Sequence, residues 1–223
     1  MKAEALLRWQ HPTKGRITPD EFIPLAEESG LIIDISNWVF NEVCANIKQW
    51  KAQNRQELQV SINTSPSHYF NLESNITQWL NLLLDQKISA RSILLEVTEN
   101  LLMEANEMVS KKLFQFRQAG VDIALDDFGT GYSSISYLKR FPTDFIKIDR
   151  SFVKSMTDVS NDKVLCEAII VMANKLGIKV VAEGVETQEQ YDILKSMGCD
   201  YAQGYFIAKP LSKSDFESFW ERH

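Results

Sequence analysis

The stretch Val121–Ser134, with the sequence VDIALDDFGTGYSS, decides the fold prediction. Its first part, Asp122–Asp126, is a short apolar run that predicts a buried β-strand. Two adjacent carboxylates, Asp126 and Asp127, stand where that strand ends, and a glycine-containing segment leads from them to a predicted helix at Ser133–Lys139. A buried strand with polar residues at its end and a helix behind it is typical of one unit of a parallel α/β sheet.

Six further apolar runs of the same kind lie on either side of this stretch, and predicted helices separate them. The strands are predicted at Ala3–Trp9, Gln59–Asn63, Ile93–Thr98, Phe145–Ile148, Lys179–Ala182 and Tyr201–Ile207. One helix is predicted to begin at the capping box Thr18–Glu21 and to end at Gly30; the others are predicted at about Asp34–Trp50, Asn75–Asp85, Glu104–Ala119, Asp162–Leu176, Thr187–Met197 and Ser212–Glu221. Such dense alternation requires parallel strands joined by helical crossovers.

Two architectures fit this alternation: an open doubly wound sheet, or a (β/α)8 barrel that lacks one strand. No glycine-rich phosphate loop follows any predicted strand, which disfavours a nucleotide-binding doubly wound sheet. We therefore predict a modified (β/α)8 TIM-like barrel. Its first strand is expected to be missing, because the run Ala3–Trp9 begins almost at Met1. No linker composition interrupts the pattern, so residues 1–223 are predicted to form one domain that is truncated at its amino end.

Composition excludes several function classes. The chain has 24 Lys and Arg against 30 Asp and Glu, a net charge of −6, and no basic stripe, so we expect no polymeric nucleic acid as partner. No run of eighteen apolar residues occurs, so we expect no direct membrane contact. Its three cysteines and three histidines are scattered, which disfavours a zinc site. Any metal ion is expected to be held mainly by oxygen atoms.

Polar residues stand in or just after every predicted strand. Parallel barrels place their active sites at the carboxyl ends of the strands, where side chains from different strands converge. Carboxylates gathered in this way repel each other unless a cation lies among them, and two metal ions are the usual arrangement for attack on phosphorus. In chain order these residues are Glu4, Asn63, Glu96, Asp126, Asp127, Lys147, Asp149, Glu183 and Gln203.

Strand alternation refines this prediction. Glu4 and Arg8 are expected to share one face of the first strand. The adjacent Asp126 and Asp127 are expected to diverge, so that two cations could each receive one of them. Lys147 is expected to contact a phosphate oxygen or the attacking hydroxide, and a salt bridge to Asp126 or Asp149 is the alternative.

Three further features have both a functional and an ordinary interpretation. The segment Phe128–Ser134 is a candidate gate over the site or an ordinary turn between strand and helix. Glu99 could hydrogen-bond that segment. Glu186 precedes the predicted helix cap at Thr187, where a negative charge is favourable in any case.

Taken together, these residues resemble the EAL-domain family of bacterial cyclic di-GMP phosphodiesterases. The resemblance covers essentially the whole chain, with the segments in the family's order. They are Glu4–Trp9 (EALLRW), Val60–Asn63 (VSIN), Leu95–Glu99 (LEVTE), Asp126–Ser134 (DDFGTGYSS), Ile146–Asp149 (IKID), Ala182–Thr187 (AEGVET), and Gln203–Tyr205 (QGY) followed by Lys209–Leu211 (KPL).

The resemblance implies a modified (β/α)8 barrel that hydrolyses cyclic di-GMP to linear 5′-pGpG with Mg²⁺ or Mn²⁺, two ions per site. The implied metal ligands are Glu4, Asn63, Glu96, Asp126, Asp127 and Glu183. Lys147 and Gln203 are implied as catalytic residues, and the choice between general base and metal ligand for Glu183 stays open. Implied substrate contacts are Arg8, Asp149 and Glu186, and Glu99 is implied to anchor the loop after Asp127.

The family context adds further expectations. A bacterial cytoplasmic location and a homodimer are implied, with an upstream sensor or diguanylate-cyclase-like domain in a parent protein that could be tethered to a membrane. Family members usually carry an additional strand with a Gln-Pro pair before Glu4. Because loss of that strand would expose a sheet edge, we expect reduced stability or activity of the isolated chain.

Two alternatives remain at this point. The first is a catalytically weak or inactive domain that binds cyclic di-GMP as a receptor. The second is a barrel glycosidase that uses two carboxylates, which would leave the other carboxylates and Lys147 without a role.

Overall fold

The computed structural model describes residues 1–53, 58–70, 76–130, 138, 140–156 and 160–222. The strands are β1 (Lys2–Ala5), β2 (Trp9–His11), β3 (Gly15–Ile17), β4 (Gln59–Asn63), β5 (Ile93–Thr98), β6 (Asp122–Phe128), β7 (Phe145–Ile148), β8 (Lys179–Ala182) and β9 (Tyr201–Ala202). The helices are α1 (Pro19–Glu28), α2 (Ile32–Ala52), α3 (Pro66–Phe70), α4 (Ile76–Asp85), α5 (Glu99–Met103), α6 (Glu107–Gln118), α7 (Arg150–Lys154), α8 (Asn161–Leu176), α9 (Gln188–Ser196) and α10 (Lys213–Arg222). A 3₁₀ turn covers Ala90–Ser92.

Seven of these strands form one sheet in the order β1-β4-β5-β6-β7-β8-β9. The described pairings of β1 with β4, β4 with β5, β7 with β8 and β8 with β9 are parallel. The order follows the chain without the reversal that defines a doubly wound sheet, so the sheet topology excludes that alternative. The predicted parallel α/β class is confirmed.

The chain divides into two compact units, which we describe separately. The first contains β1–β5, the chain up to Leu125, and the described residues between Leu138 and Asp144. In its core the rings of Phe40 and Trp79 stack with their centroids 4.2 Å apart. The second contains Asp126–Thr130 and the described residues from Phe145 onward. Its core includes the buried side chains Ile146, Val153, Cys166, Ile170 and Val180.

The predicted strand Ala3–Trp9 is wrong beyond Ala5. Trp9 instead begins β2, which pairs antiparallel with β3 in a separate two-stranded sheet. The turn between them is held by His11, whose Nδ1 accepts hydrogen bonds from the backbone N–H groups of Thr13 and Lys14, both at 3.2 Å. The expectation that Glu4 and Arg8 share a strand face fails with it, because Arg8 lies outside β1.

The predicted strand Tyr201–Ile207 is also too long, since β9 ends at Ala202. The following residues turn, with the N–H of Ile207 donating to the carbonyl of Gly204 at 3.0 Å. The predicted helix Glu104–Ala119 is present as α6 but begins three residues later, where Asn106 caps it by accepting the N–H of Val109 at 3.0 Å. The short helix α5, at Glu99–Met103, precedes it and was not predicted. The predicted helix Ser133–Lys139 lies outside the described residues, except for Leu138.

The other predicted helices are present, with ends shifted by one or two residues. The capping boxes at Thr18 and Thr187 are both formed. Among the residues that the structure describes, no helix combines the length and the apolar character needed to cross a membrane.

We predict that Gly184→Ala destabilises the protein more than Gly177→Ala does. Both glycines have left-handed backbones, with φ of +68° and +73°. A Cβ at Gly184 would lie 2.6 Å from Cβ of Arg150, whereas a Cβ at Gly177 would meet nothing within 4 Å. Gly177→Ala should therefore cost only the backbone strain of about 1–2 kcal/mol. Gly184→Ala should cost about 1–3 kcal/mol more, because Arg150 must move.

Chemical denaturation of the two variants and the wild type measures these free energies of unfolding. Equal losses at the two positions would show that the contact with Arg150 is not the limiting constraint.

Candidate active site

Three carboxylates converge in the second unit. Asp126 and Asp127 lie in β6, and Glu183 directly follows β8. Each offers one carboxylate oxygen, and these three oxygens all lie within 4.8 Å of one another. Three oxygens of like charge at this separation match the ligands of a hard divalent cation.

The convergence of Asp126 and Asp127 corrects the expectation that these neighbours diverge. Asp127 has a left-handed backbone, with φ of 54°. That conformation interrupts the regular alternation of β6, so the side chain of Asp127 turns towards the carboxylate that precedes it. The N–H of Asp127 donates to Oδ1 of Asp126 at 3.0 Å, and this hydrogen bond stabilises the backbone conformation of Asp127. Both carboxylates are therefore available to one cluster.

Lys147 supplies the positive charge next to this cluster. It lies in β7, only 2% exposed, and its Nζ is 2.6 Å from Oε1 of Glu183 and 3.2 Å from Oδ1 of Asp126. The salt bridge to Asp126 that the sequence analysis held as an alternative is thus present, and Glu183 is a second partner. An ammonium held between two carboxylates on different strands has a fixed position, as a catalytic group requires.

The surroundings of Asp127 raise the pKa of its carboxyl group. Partial loss of water around its carboxyl group raises its pKa, and the negative charges of Asp126 and Asp149 raise it further. Lys147 and Arg150 act in the opposite direction but do not cancel the increase. The carboxylates therefore carry more negative charge than the neighbouring cationic side chains balance, and a divalent cation would relieve this excess.

Backbone contacts between neighbouring loops position Glu183 and Gln203. The N–H of Glu183 donates to the carbonyl of Ile148 at 3.1 Å, and that of Gln203 donates to the carbonyl of Ala182 at 2.8 Å. The N–H of Val185 donates back to the carbonyl of Gln203 at 3.0 Å. A Cβ on Gly204 would lie 2.2 Å from the carbonyl oxygen of Val185, so only glycine permits this close approach.

Asp149 and Glu186 have clear local roles. Asp149 caps α7, accepting the N–H of Ser151 at 3.0 Å, and its charge still acts on Asp127. Glu186 is exposed and its N–H donates to Oε1 of Gln190 at 2.8 Å, within the capping arrangement of α9. Neither residue belongs to the three-carboxylate cluster, and their substrate contacts stay predictions.

In the first unit, three more of the predicted ligands lie on adjacent strands. Glu4 is in β1, Asn63 ends β4, and Glu96 lies opposite Asn63 in β5. Nδ2 of Asn63 donates to Oε1 of Glu4 at 2.6 Å, which orients the amide. Glu96 is only 2% exposed. We call Glu4, Asn63 and Glu96 the first-unit cluster.

Arg8 and Glu99 complete the predicted residues of the first unit. Arg8 is exposed, and its Nη1 donates to the carbonyl of Leu7 at 2.8 Å. Glu99 is buried and begins α5. The loop that Glu99 was predicted to anchor lies partly outside the described residues, so this role stays a prediction.

The donor sets of both units fit Mg²⁺ or Mn²⁺. All candidate ligands are carboxylate or amide oxygens, which these cations prefer over the nitrogen and sulfur ligands of zinc. In the second unit this fit agrees with the raised pKa of Asp127, to which burial contributes most and the charges of Asp126 and Asp149 contribute further.

Two residues next to this chemistry, Thr64 and Tyr69, were not predicted from the sequence. Thr64 directly follows Asn63, and its hydroxyl donates to the backbone carbonyl of Glu96 at 2.7 Å. The hydroxyl of Tyr69 lies 3.0 Å from that of Thr64. In the sequence, the only indication of this role is that Thr64 is a polar residue directly after the predicted ligand Asn63.

Comparisons with known proteins point to one family. The EAL domain family model matches residues 1–210. MucR of Pseudomonas aeruginosa, a bifunctional diguanylate cyclase/cyclic di-GMP phosphodiesterase, is 39% identical over 93% of this chain and 30% of its own length. The cyclic di-GMP phosphodiesterase NbdA of the same species is 39% identical over 97% of this chain and 28% of its own length. The chain thus spans less than a third of these relatives.

A solved structure of the PaMucR phosphodiesterase in complex with c-di-GMP superimposes with a TM-score of 0.90 at 38% identity, covering 96% of this chain and 86% of that one. EAL domains have a TIM-barrel-like fold, so the predicted fold class is confirmed. The match to the family model over most of the chain, together with these relatives, establishes that the chain belongs to the EAL-domain family.

Proposed function

We propose that this chain hydrolyses cyclic di-GMP to linear 5′-pGpG with Mg²⁺ or Mn²⁺, and so lowers this second messenger in bacterial signalling. The observation that carries the proposal is the placement of buried Lys147 between Asp126 and Glu183, with Asp127 beside them. The relatives MucR and NbdA are cyclic di-GMP phosphodiesterases, which supports the same substrate here.

The residues that would hold metal ions are the first-unit cluster and, in the second unit, Asp126, Asp127 and Glu183. We propose two ions per site, as the family resemblance implies. When bound, such ions supply Lewis acidity towards a phosphodiester and a water molecule. Glu183 contributes a carboxylate whether it acts as a ligand or as a general base.

Lys147 would act by charge and position. Two carboxylates within salt-bridge distance hold its ammonium in place. The ammonium then donates a hydrogen bond to an oxygen of the phosphodiester or of the attacking water, in a place where bulk water does not compete. Gln203 would support the same water or phosphate, and Arg8, Asp149 and Glu186 would contact the substrate.

We also propose that two copies of the chain associate through α8. Four large aliphatic residues on this helix, Val164, Leu165, Val171 and Leu176, are between 43% and 64% exposed. An isologous pair of antiparallel helices with Ala168 at the two-fold axis would place Leu165 of each copy against Val171 of the other.

The charges at the two ends of α8 suit this arrangement. Asp162 lies in the first turn and Lys175 in the last turn. In the antiparallel pair each Asp162 would lie beside Lys175 of the other copy, whereas a parallel pair would set like charges together. The surface is therefore complementary to a second copy of itself.

We propose that the domain works in the bacterial cytoplasm as the phosphodiesterase part of a longer signalling protein, with a sensor or diguanylate-cyclase-like region upstream. The support is that each of the curated relatives MucR and NbdA is more than three times as long as the stretch that this chain matches.

We predict that the purified chain converts cyclic di-GMP to pGpG with added Mg²⁺ and not in EDTA, as measured by chromatography of the products. Lys147→Met should lower the turnover rate by about 10²–10³-fold, because it removes a fixed positive charge from the reacting phosphate. The matched control is Lys179→Met, which removes an exposed lysine at the start of β8. Binding of cyclic di-GMP without hydrolysis in the wild type would favour the receptor function instead.

We predict that Asp127→Asn abolishes metal-dependent turnover and yet raises the stability of the protein in EDTA. Removal of one negative charge relieves the partial burial of that charge, which raises the pKa of Asp127 most, and the repulsion from Asp126 and Asp149, which raises it further. Asparagine tolerates the left-handed backbone there. The gain should be below about 1 kcal/mol, since Asp127 is exposed and solvent screens the repulsion. Thermal unfolding in EDTA at neutral pH measures it; a lower melting temperature than that of the wild type would contradict the excess of negative charge.

We predict that Leu165→Asp and Val171→Asp shift the protein from dimer to monomer, because each places a charge within an apolar contact. Light scattering coupled to size-exclusion chromatography measures the mass. Leu84→Asp is the matched control, since Leu84 is 74% exposed on α4 of the other unit. If the wild type is a monomer, or if both α8 variants remain dimers, the proposed association through α8 is wrong.

A further inference from the structure

Three consecutive polar side chains at the end of β4 connect this strand to three other elements. Asn63 donates to the carboxylate of Glu4 in β1 at 2.6 Å. Thr64 donates to the backbone carbonyl of Glu96 in β5, and Ser65 donates to Oε1 of Glu27 in α1 at 2.6 Å. The segment Asn63–Ser65 therefore fixes the geometry around two predicted cation ligands from one place in the chain.

Thr64 is joined to Glu96 by two hydrogen bonds. Its backbone N–H donates to the carbonyl of Glu96 at 3.1 Å, and its hydroxyl donates to the same oxygen at 2.7 Å. Thr64 is buried, so water does not compete for these bonds. Two donors on one carbonyl oxygen fix the plane of the peptide that follows Glu96, and with it the direction of the Glu96 side chain.

Tyr69 extends this connection into the core. Its side chain is completely buried, and its hydroxyl lies 3.0 Å from Oγ1 of Thr64. The single hydroxyl proton of Thr64 points to Glu96, so Tyr69 is the donor and Thr64 the acceptor between them. Hydrogen bonds in a chain of this kind polarise and strengthen one another. The helix α3, which carries Tyr69, is itself held by Ser65, whose Oγ accepts the N–H of Ser67 at 3.2 Å.

We propose that Thr64 and Tyr69 are positioning residues for the first-unit cluster: their hydroxyls hold Asn63 and Glu96 in the geometry that binds a divalent cation. Asn63 adjoins Thr64 in the chain, and Glu96 is the register partner of Asn63, so one hydroxyl controls both ligands. The proposal rests on the proposed function, since it takes Asn63 and Glu96 as cation ligands. Partners that orient metal ligands typically contribute about 10–100-fold to metal affinity.

The test is a titration of the full chain with Mn²⁺, in which electron paramagnetic resonance reports the free ion and no turnover is needed. Thr64→Val, which keeps the shape and removes the hydroxyl, should weaken Mn²⁺ binding about tenfold at one site. Thr64→Ser, which keeps the hydroxyl, should bind within about twofold of the wild type because the oxygen that positions Glu96 is retained. Tyr69→Phe should fall between them.

Two further variants separate positioning from general loosening and from failure of the site. Ser36→Ala removes another buried hydroxyl of the same unit, which donates to Ile32 within α2 at 2.8 Å, and should leave Mn²⁺ affinity unchanged. Glu96→Gln should remove the site. Thermal unfolding in EDTA records the stability of every variant.

Wild-type Mn²⁺ affinity in Thr64→Val, with loss of binding in Glu96→Gln, would overturn the positioning role and leave the proposed function intact. Equal weakening in Thr64→Val and Ser36→Ala would overturn it as well, because the effect would then be general. Wild-type binding in Glu96→Gln would contradict the site on which the proposal rests and would overturn both.

Discussion

The candidate site of the second unit is organised around the ammonium of Lys147, which lies 2.6 Å from Glu183 and 3.2 Å from Asp126. Carboxylates from separate strands share a small volume only when positive charge lies among them. With this lysine in place the pKa of Asp127 is still raised, mainly by burial and further by the charges of Asp126 and Asp149. A divalent cation among these carboxylates would lower the cost of gathering them.

The backbone next to the cluster has unusual conformations at three positions. Asp127 leaves the regular strand conformation, and Gly184 and Gly204 permit approaches that a Cβ would block. These three positions lie directly beside Asp126, Glu183 and Gln203 in the chain. Unusual backbone geometry therefore occurs where the candidate catalytic groups are placed, which is where strain is commonly found in functional proteins.

Much of the fold could be predicted from sequence because the central strands are buried on both faces. The strands β4, β5, β7 and β8 have the predicted bounds, since continuous apolar runs have clear ends. The errors occur where a side chain or a loop backbone competes with the strand. His11 holds the turn between β2 and β3, so the chain from Trp9 pairs in a separate sheet. Beyond the end of β9, the backbone of Val185 hydrogen-bonds with Gln203 and Phe206. Local propensity does not register such partners, which are distant in the sequence or specific to one side chain.

In the candidate site, the sequence identifies the candidate ligands but not the residues that orient them. Charged residues inside buried strands, such as Glu96 and Lys147, stand out because few structural roles place a charge there. Thr64 and Tyr69 are ordinary polar residues, and their relevance comes from a bond to a carbonyl 32 residues away. A ligand can thus be recognised by its own chemistry, but a residue that orients a ligand is recognised only by its distance from it. For this reason the supporting residues of such sites have to be found in the structure, even where the family resemblance identifies the ligands.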